Sequence, residues 1–178
     1  NRARWLIAYP KAFEELLARH AKINNVPFAM QIAIVREESG FNPLLESYAN
    51  AIGLTQMIFV TGKRFAKGTG IAATRENLRD PVKNVTIGSR FLGYLFSHWK
   101  NFAALVPPSY NGGVGYVRRN LRTRGTWDVD EFIEGIVGDQ VRNYSKRVLG
   151  TYFTYSWLYE KTVPVIPNTI PTELIPKK

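Results

Sequence analysis

The chain has 178 residues and no cysteine, and its 24 lysine and arginine residues exceed its 14 aspartate and glutamate residues, which gives a net charge of +10. The length suits one domain with a substantial core, and the lack of cysteine excludes disulfides, thiol nucleophiles and cysteine-ligated metals. The positive charge favours anionic partners such as nucleic acid, an acidic membrane or an acidic cell-wall polymer.

No apolar run approaches the roughly eighteen residues that cross a membrane, so we expect no transmembrane segment. The chain opens with Asn-Arg-Ala-Arg and without a methionine. We therefore expect a segment of a longer, exported protein whose export signal lies outside this sequence.

Apolar residues recur at three- and four-residue spacing, whereas alternating β-branched runs are scarce. This pattern predicts an all-α fold. The predicted helical segments begin at Pro10, at Phe28 and at Pro81, or lie over residues 54–67, 116–122 and 139–161.

Proline and glycine mark the expected breaks between these segments. Pro107 and Pro108 are expected to break the chain ahead of a turn at Asn111-Gly112-Gly113. The last sixteen residues contain four prolines, which predicts an extended tail or linker over residues 162–178 after a domain over residues 1–161.

Two adjacent glutamates, Glu37 and Glu38, stand in the stretch "REESGFNP" at the end of a helix that is apolar almost all round. Cleavage of a glycosidic bond needs a proton donor, and a carboxyl group can serve at neutral pH if burial raises its pKa. Helical spacing places both glutamates on stripes with apolar residues, so it does not choose between them. The alternative interpretation is that both are solvated residues at a frayed helix end.

Four stretches carry a resemblance to a known family. They are "REESGFNP" from Arg36, "AIGLTQM" from Ala51, "SYNGGVGYV" from Ser109 and "EGIVGDQVRNYSKRVL" from Glu134. In this order and spacing the sequence resembles the catalytic domain of the soluble lytic transglycosylases, which have a goose-type lysozyme-like helical fold. The resemblance covers about residues 28–150.

The resemblance implies that Glu38, which precedes Ser-Gly-Phe, is the single catalytic acid/base. Glu37 stands where the family often has glutamine and is expected to have no catalytic role. The positions that match family residues lining the saccharide groove or orienting the acid are Ser39, Thr55, Gln56, Tyr110, Asn111, Glu134 and Tyr144. Among them, Thr55 replaces a methionine that lies beside the sugar.

Members of this family cleave the β-1,4 bond between N-acetylmuramic acid and N-acetylglucosamine in peptidoglycan without adding water. The muramyl C6 hydroxyl attacks C1 of its own sugar and leaves a 1,6-anhydro ring. One glutamate serves both steps, so the resemblance implies neither a second carboxylate nor a cofactor.

Three other functions remain open at this point. A hydrolytic muramidase would need a second carboxylate, such as Glu46 or Asp139, opposite Glu38. A non-catalytic wall-binding module would keep the fold without the reaction. Binding of nucleic acid would use the basic run Arg118, Arg119, Arg122 and Arg124, although such a run is more often a solvated helix face.

The expected partner is therefore the glycan strand of peptidoglycan, with no nucleic acid, and the expected state is a monomer. The expected location is the periplasm or cell envelope. The two histidines, His20 and His98, stand alone at helical positions, which predicts no metal site.

Overall fold

The structure is a computed structural model that describes residues 2–177. Within them the chain forms ten α-helices and no β-sheet, so the predicted all-α class is confirmed. The helices are α1 Arg2–Ala8, α2 Glu14–Ile23, α3 Phe28–Ser39, α4 Phe59–Ala66, α5 Arg75–Arg79, α6 Pro81–His98, α7 Val106–Gly112, α8 Val114–Arg124, α9 Val129–Glu134 and α10 Asp139–Tyr155. No helix in this part of the chain has both the length and the apolar character needed to span a membrane.

Four short helices were not predicted, namely α1, α5, α7 and α9. The helix expected from Pro10 begins at Glu14, and the stretch expected from Leu54 becomes helical only at Phe59. A π-helical turn over Ser156–Glu160 continues α10 to the end that its spacing predicted. Short helices lack the repeated apolar spacing that sequence patterns detect, which explains why they were missed.

Helix α3 lies at the centre of the fold and packs against α2 and α10. Its residues from Ala29 to Val35 are all buried, as expected for a helix that is apolar on every side. Gly40 ends the helix in a left-handed conformation, with φ of 56°, and its amide donates to the Arg36 carbonyl at 2.9 Å. Helix α3 therefore runs out from the core, and its last turn carries the two glutamates, both of which are half-buried.

Two apolar clusters divide the molecule. The larger joins α2, α3, α6, α7, α8 and α10, whereas the smaller lies under α4 and α5. The smaller cluster consists of Ile52, Met57, Ala66, Leu78 and Ile87. Phe91 on α6 packs against both clusters.

Pro107 and Pro108 do not break the chain, contrary to the prediction. Both lie in the first turn of α7, where a helix needs no amide donor and the fixed φ of proline is already helical. The turn comes only at Gly113, with φ of 83°, between α7 and α8. Tyr110 and Asn111 therefore project from a helix and not from a loop.

The proline-rich segment after residue 161 is mostly extended, yet its second half packs against the helices. Ile170 and Leu174 are buried in the larger cluster. The Val129 amide donates to the Asn168 carbonyl at 2.7 Å, which fixes the segment beside α9. These contacts make this part of the segment a component of the core, not a detached linker.

Candidate active site

A cleft of about 400 Å³ lies between the helices of the larger cluster and the loop that leads into α4. Its walls come from α3, α6, α7 and α10 on one side and from residues 47–61 on the other. The lining residues are Glu37, Glu38, Ser47, Ala49, Ala51, Gln56, Met57, Ile58, Thr61, Phe91, Tyr110, Asn111, Gln140, Tyr144 and Arg147.

Glu38 lies in the last turn of α3 and faces this cleft. The Tyr144 hydroxyl, on α10, donates a hydrogen bond of 2.6 Å to Glu38 Oε1. Tyr144 is itself only 3% exposed, so the contact is held from inside the protein. One carboxyl oxygen of Glu38 is thereby fixed by a rigid helix.

Burial raises the pKa of the Glu38 carboxyl from its ordinary value of 4.5 to about 7. The Tyr144 hydrogen bond and the positive charge of Arg147 lower this pKa, whereas the negative charge of Glu37 raises it. The increase caused by desolvation is larger than the decrease caused by Tyr144 and Arg147, so the pKa of Glu38 is raised overall. A carboxyl group with this pKa holds its proton in a large part of the molecules at neutral pH and is able to donate it.

Glu37 has a different environment, although it is the next residue. Its Oε1 accepts a hydrogen bond of 2.7 Å from the Thr151 hydroxyl, and Arg147 Nε lies 3.2 Å from Oε2. Its side chain is only 16% exposed. The structure therefore separates the two glutamates: Glu37 is ion-paired to α10, and Glu38 is bound by a neutral hydroxyl.

The loop of the "AIGLTQM" stretch is fixed to α6 by Asn84, which is fully buried. Asn84 Oδ1 accepts from the Thr55 amide at 2.9 Å and from the Thr55 hydroxyl at 2.7 Å. Its Nδ2 donates to the carbonyls of Ile52 and Leu78 at 2.9 and 2.8 Å. All four bonds join one amide side chain to backbone or buried groups, so the loop has little freedom.

The Thr55 side chain does not line the cleft, although the resemblance matched it to a methionine beside the sugar. Its side chain is 1% exposed and faces α6, where a Cβ on Gly88 would approach it to 2.5 Å. Gly53 is equally constrained, because its φ of 77° favours glycine and a Cβ would lie 2.2 Å from the Leu78 carbonyl oxygen. Gln56 and Ile58 from this region do line the cleft, and Ile58 is 43% exposed.

Three of the predicted groove residues do line the cleft beside Glu38 and Tyr144. The Tyr110 hydroxyl donates to the Thr55 carbonyl at 2.8 Å and so links α7 to the loop. Gln56 Nε2 donates to the carbonyls of Leu45 and Gly53 at 3.1 and 3.0 Å. Asn111 follows Tyr110 on α7 and is half-buried at the edge of the cleft.

Ser39 and Glu134 do not line the cleft; the resemblance matched them to residues that line the groove or orient the acid. The Ser39 hydroxyl is buried and donates to the carbonyls of Val35 and Leu54 at 3.0 and 2.9 Å, which joins α3 to the loop. Glu134 ends α9, pairs with Lys146 and lines a separate groove beside the C-terminal segment. Each residue faces a neighbouring element of the protein.

The residues that the sequence analysis missed share no single pattern. Among them are Ser47, Ile58, Phe91, Gln140 and Arg147, which line the cleft, and Asn84, which fixes the loop. Gln140 and Arg147 lie on the same helix as Tyr144, and helical spacing from Tyr144 identifies Gln140 and Arg147 as its neighbours at four and three residues. For Asn84, the sequence does contain a signal: an asparagine in an otherwise apolar helix stripe indicates a buried amide that bonds a neighbouring element.

The carboxylates proposed for a hydrolytic mechanism lie outside the cleft lining. Glu46 pairs with Arg75 and Arg79, and Asp139 pairs with Arg142. Within residues 2–177, no three acidic or histidine side chains come together as metal ligands would. Glu37 and Glu38 are thus the acidic side chains of the cleft in the described part of the chain.

Comparison with known proteins agrees with this architecture. The family model described as "Transglycosylase SLT domain" matches residues 15–133. The soluble lytic murein transglycosylase of Escherichia coli K12 is 32% identical over 152 residues, which cover 83% of this chain and 24% of that protein. A putative soluble lytic murein transglycosylase of Haemophilus influenzae is 31% identical over 159 residues, which cover 88% of this chain and 27% of that protein.

Solved structures give the same result. An inactive glutamate-to-glutamine mutant of the lytic transglycosylase Slt from Pseudomonas aeruginosa superposes with a TM-score of 0.84 and 29% identity, covering 91% of this chain and 26% of that one. A 70-kDa soluble lytic transglycosylase in complex with bulgecin A gives a TM-score of 0.85 and 28% identity, covering 92% of this chain and 27% of that one. This chain thus spans about a quarter of the length of these relatives. The matched family model and the shared fold together establish that the chain belongs to the transglycosylase SLT domain family.

Proposed function

We propose that the protein is a lytic transglycosylase that cleaves peptidoglycan, with Glu38 as its single acid/base. The observation that carries the proposal is the position of the Glu38 carboxyl, which opens onto the cleft and whose pKa is raised by burial to about 7. The names of the relatives support the reaction class. The glutamate-to-glutamine change in the inactive relative is the substitution that would remove such an acid.

In the first step, Glu38 donates its proton to the glycosidic oxygen between N-acetylmuramic acid and N-acetylglucosamine. The bond from that oxygen to muramyl C1 breaks, and the N-acetylglucosamine side leaves as an alcohol. In the second step, the muramyl C6 oxygen forms a bond to C1 while the Glu38 carboxylate takes the hydroxyl proton. The product is a 1,6-anhydro sugar, and Glu38 is protonated again.

This route needs no second carboxylate, because the attacking alcohol belongs to the substrate and is already near C1. A hydrolytic route would need a carboxylate that activates water or attacks C1. Glu46 and Asp139, the candidates for that role, are paired with arginines outside the cleft lining. Glu37 is adjacent to Glu38 and ion-paired with Arg147, so it is poorly placed to act on the face of the sugar ring opposite Glu38.

The substrate contacts that we propose are Gln56, Tyr110, Asn111 and Tyr144, all of which line the cleft. Phe91 and Ile58 add apolar surface of the kind that packs against sugar rings. The glycan would lie along the cleft between α7 and the loop, with its scissile bond at Glu38. Ser39 and Thr55 act indirectly in this proposal, since their hydroxyls fix the loop that forms one wall.

The net charge of +10 supports attraction to a wall polymer that carries peptide carboxylates. We accordingly propose that the protein works in the cell envelope, as a monomer, without a cofactor.

The proposal is tested first by Glu38→Gln, which keeps the shape of the side chain and removes the titratable proton. Turnover on purified peptidoglycan is expected to fall at least about a hundredfold while the protein stays folded. Glu37→Gln is the matched control, and on glycan strands without peptides it is expected to retain most of the turnover. An active Glu38→Gln variant beside an inactive Glu37→Gln variant would reverse the assignment.

A second test identifies the product. After digestion in ¹⁸O-labelled water, mass spectrometry is expected to find unlabelled anhydromuramyl ends, about 18 Da lighter than hydrolysis products because no water is added. Reducing ends that carry the label would show a hydrolase instead.

A further inference from the structure

Arg147 is a cleft residue for which the acid/base steps give no use. It follows Tyr144 by three residues on α10, so both side chains project from the same helix face. The Arg147 side chain is 57% exposed and lines the cleft together with Glu38 and Gln140. A solvent-accessible cation thus stands beside the proposed catalytic acid.

Glu37 holds this arginine from one side. Arg147 Nε lies 3.2 Å from Glu37 Oε2, and the other oxygen of Glu37 accepts the Thr151 hydroxyl at 2.7 Å. Glu37 is 16% exposed and accepts from both Arg147 and Thr151, so its carboxylate is held in place and fixes the position of Arg147. The structure records no other hydrogen bond or ion pair of the Arg147 side chain within residues 2–177.

A guanidinium group presents its donors on separate edges of one plane. With Nε occupied by Glu37, the edge formed by the two terminal nitrogens stays available. Two parallel N–H donors match the two oxygens of a carboxylate better than they match a sugar hydroxyl. This geometry selects an anionic group on the substrate.

We propose that Arg147, positioned by Glu37, binds a carboxylate of the stem peptide that peptidoglycan carries on its muramyl residues. The inference rests on the proposed function, since it takes the muramyl sugar to lie at Glu38. It gives Glu37, the first glutamate of "REESGFNP", a role distinct from catalysis. Glu37 and Arg147 then determine which glycans bind well: peptide-substituted strands in preference to bare ones.

The same contact acts on the catalytic acid. The positive charge of Arg147 lowers the pKa of Glu38 in the free protein. A substrate carboxylate bound to Arg147 offsets that charge and shifts the pKa of Glu38 upward. Binding of a peptide-bearing strand therefore favours the protonated form that the first step requires.

The test measures binding in the Glu38→Gln background, where the glycan is not cleaved. Two ligands are compared by calorimetry: a short glycan with its stem peptides and the same glycan after an amidase has removed them. Adding Arg147→Gln is expected to weaken binding of the peptide-bearing glycan about tenfold, the loss expected for a charge-assisted hydrogen bond, and to leave the bare glycan unchanged. Arg122→Gln is the matched control, because Arg122 is exposed on α8 outside the cleft lining and its loss changes the net charge equally.

Equal weakening for both glycans, or no weakening for either, would overturn the role of Arg147. So would binding of the bare glycan that is as tight as that of the peptide-bearing one before Arg147 is changed. Failure of the proposed function has a different signature, namely a wild-type protein that binds the glycans with this preference and cleaves neither. Thermal melting of each variant shows that it is folded.

Discussion

The pH dependence of the free energy of unfolding should report the raised pKa of the Glu38 carboxyl, and this measurement needs no substrate. An acid whose pKa is higher in the folded than in the unfolded state binds more protons when folded, so the protein loses stability as the pH rises. Glu38→Gln removes this titration. Below pH 4.5 the carboxyl is protonated in both states, and above about pH 7 it is ionised in both. The wild-type protein should therefore lose stability relative to the variant across this window.

The magnitude follows from the two pKa values, 4.5 in the unfolded chain and about 7 in the folded protein. At 1.36 kcal/mol per pKa unit this is about 3 kcal/mol. For a chain of this length, a change of this size in the free energy of unfolding shifts the difference in melting temperature between Glu38→Gln and wild type by about 6–12 °C. The expected result is that Glu38→Gln becomes more stable relative to wild type by about this amount between pH 4.5 and 8.5.

Urea unfolding at several pH values measures the difference, provided that the slope m is the same for both proteins. Glu131→Gln is the control, because Glu131 is exposed on α9 and the substitution removes the same formal charge. Its stability difference from wild type should change little over the same range. A Glu38→Gln difference that is independent of pH would refute the claim that burial governs this carboxyl.

Three further outcomes are expected. Tyr144→Phe removes the hydrogen bond that lowers the pKa of Glu38, so the alkaline limb of the pH–kcat profile should move to higher pH. Asn84→Ala leaves buried groups of the loop without partners and should lower the free energy of unfolding by about 3 kcal/mol or more, measured in urea. Leu174→Ala should cost about 2 kcal/mol if the C-terminal segment is part of the core, whereas the 91%-exposed Val165→Ala should cost less than about 0.5 kcal/mol in the same assay.

Sequence patterns predicted the long helices because α6 and α10 each bury a regular apolar stripe, whereas α3 is apolar on every side. The spacing of α6 and the apolar character of α3 left little choice of structure. The prolines of α7 were misinterpreted because the same residue that breaks a helix in its interior begins one at its first turn. Spacing within a single segment does not distinguish these cases; packing against α8 and α10 does.

A candidate-site residue was predictable where a short stretch of sequence marks it and unpredictable where its partners are distant in sequence. Glu38 was identified through the resemblance of a short stretch, and its contact with Tyr144 spans 106 positions in the chain. Sequence could not show that the Thr55 side chain is buried, because a sequence pattern gives the position of a residue in the chain and not the direction of its side chain. Its side chain is directed toward α6 by Asn84, 29 residues away, and by the notch at Gly88.

The position of Glu38 at the end of a helix explains how one carboxyl group is suited to both proposed steps. The negative end of the helix dipole opposes ionisation, and the buried residues Ile34 and Val35 one turn earlier exclude water. These effects alone would favour an acid that holds its proton too tightly to act as a base. The Tyr144 hydrogen bond and the Arg147 charge act in the opposite direction and leave the pKa of Glu38 at about 7. Since the first step needs the acid and the second needs its conjugate base, a value near the working pH serves both.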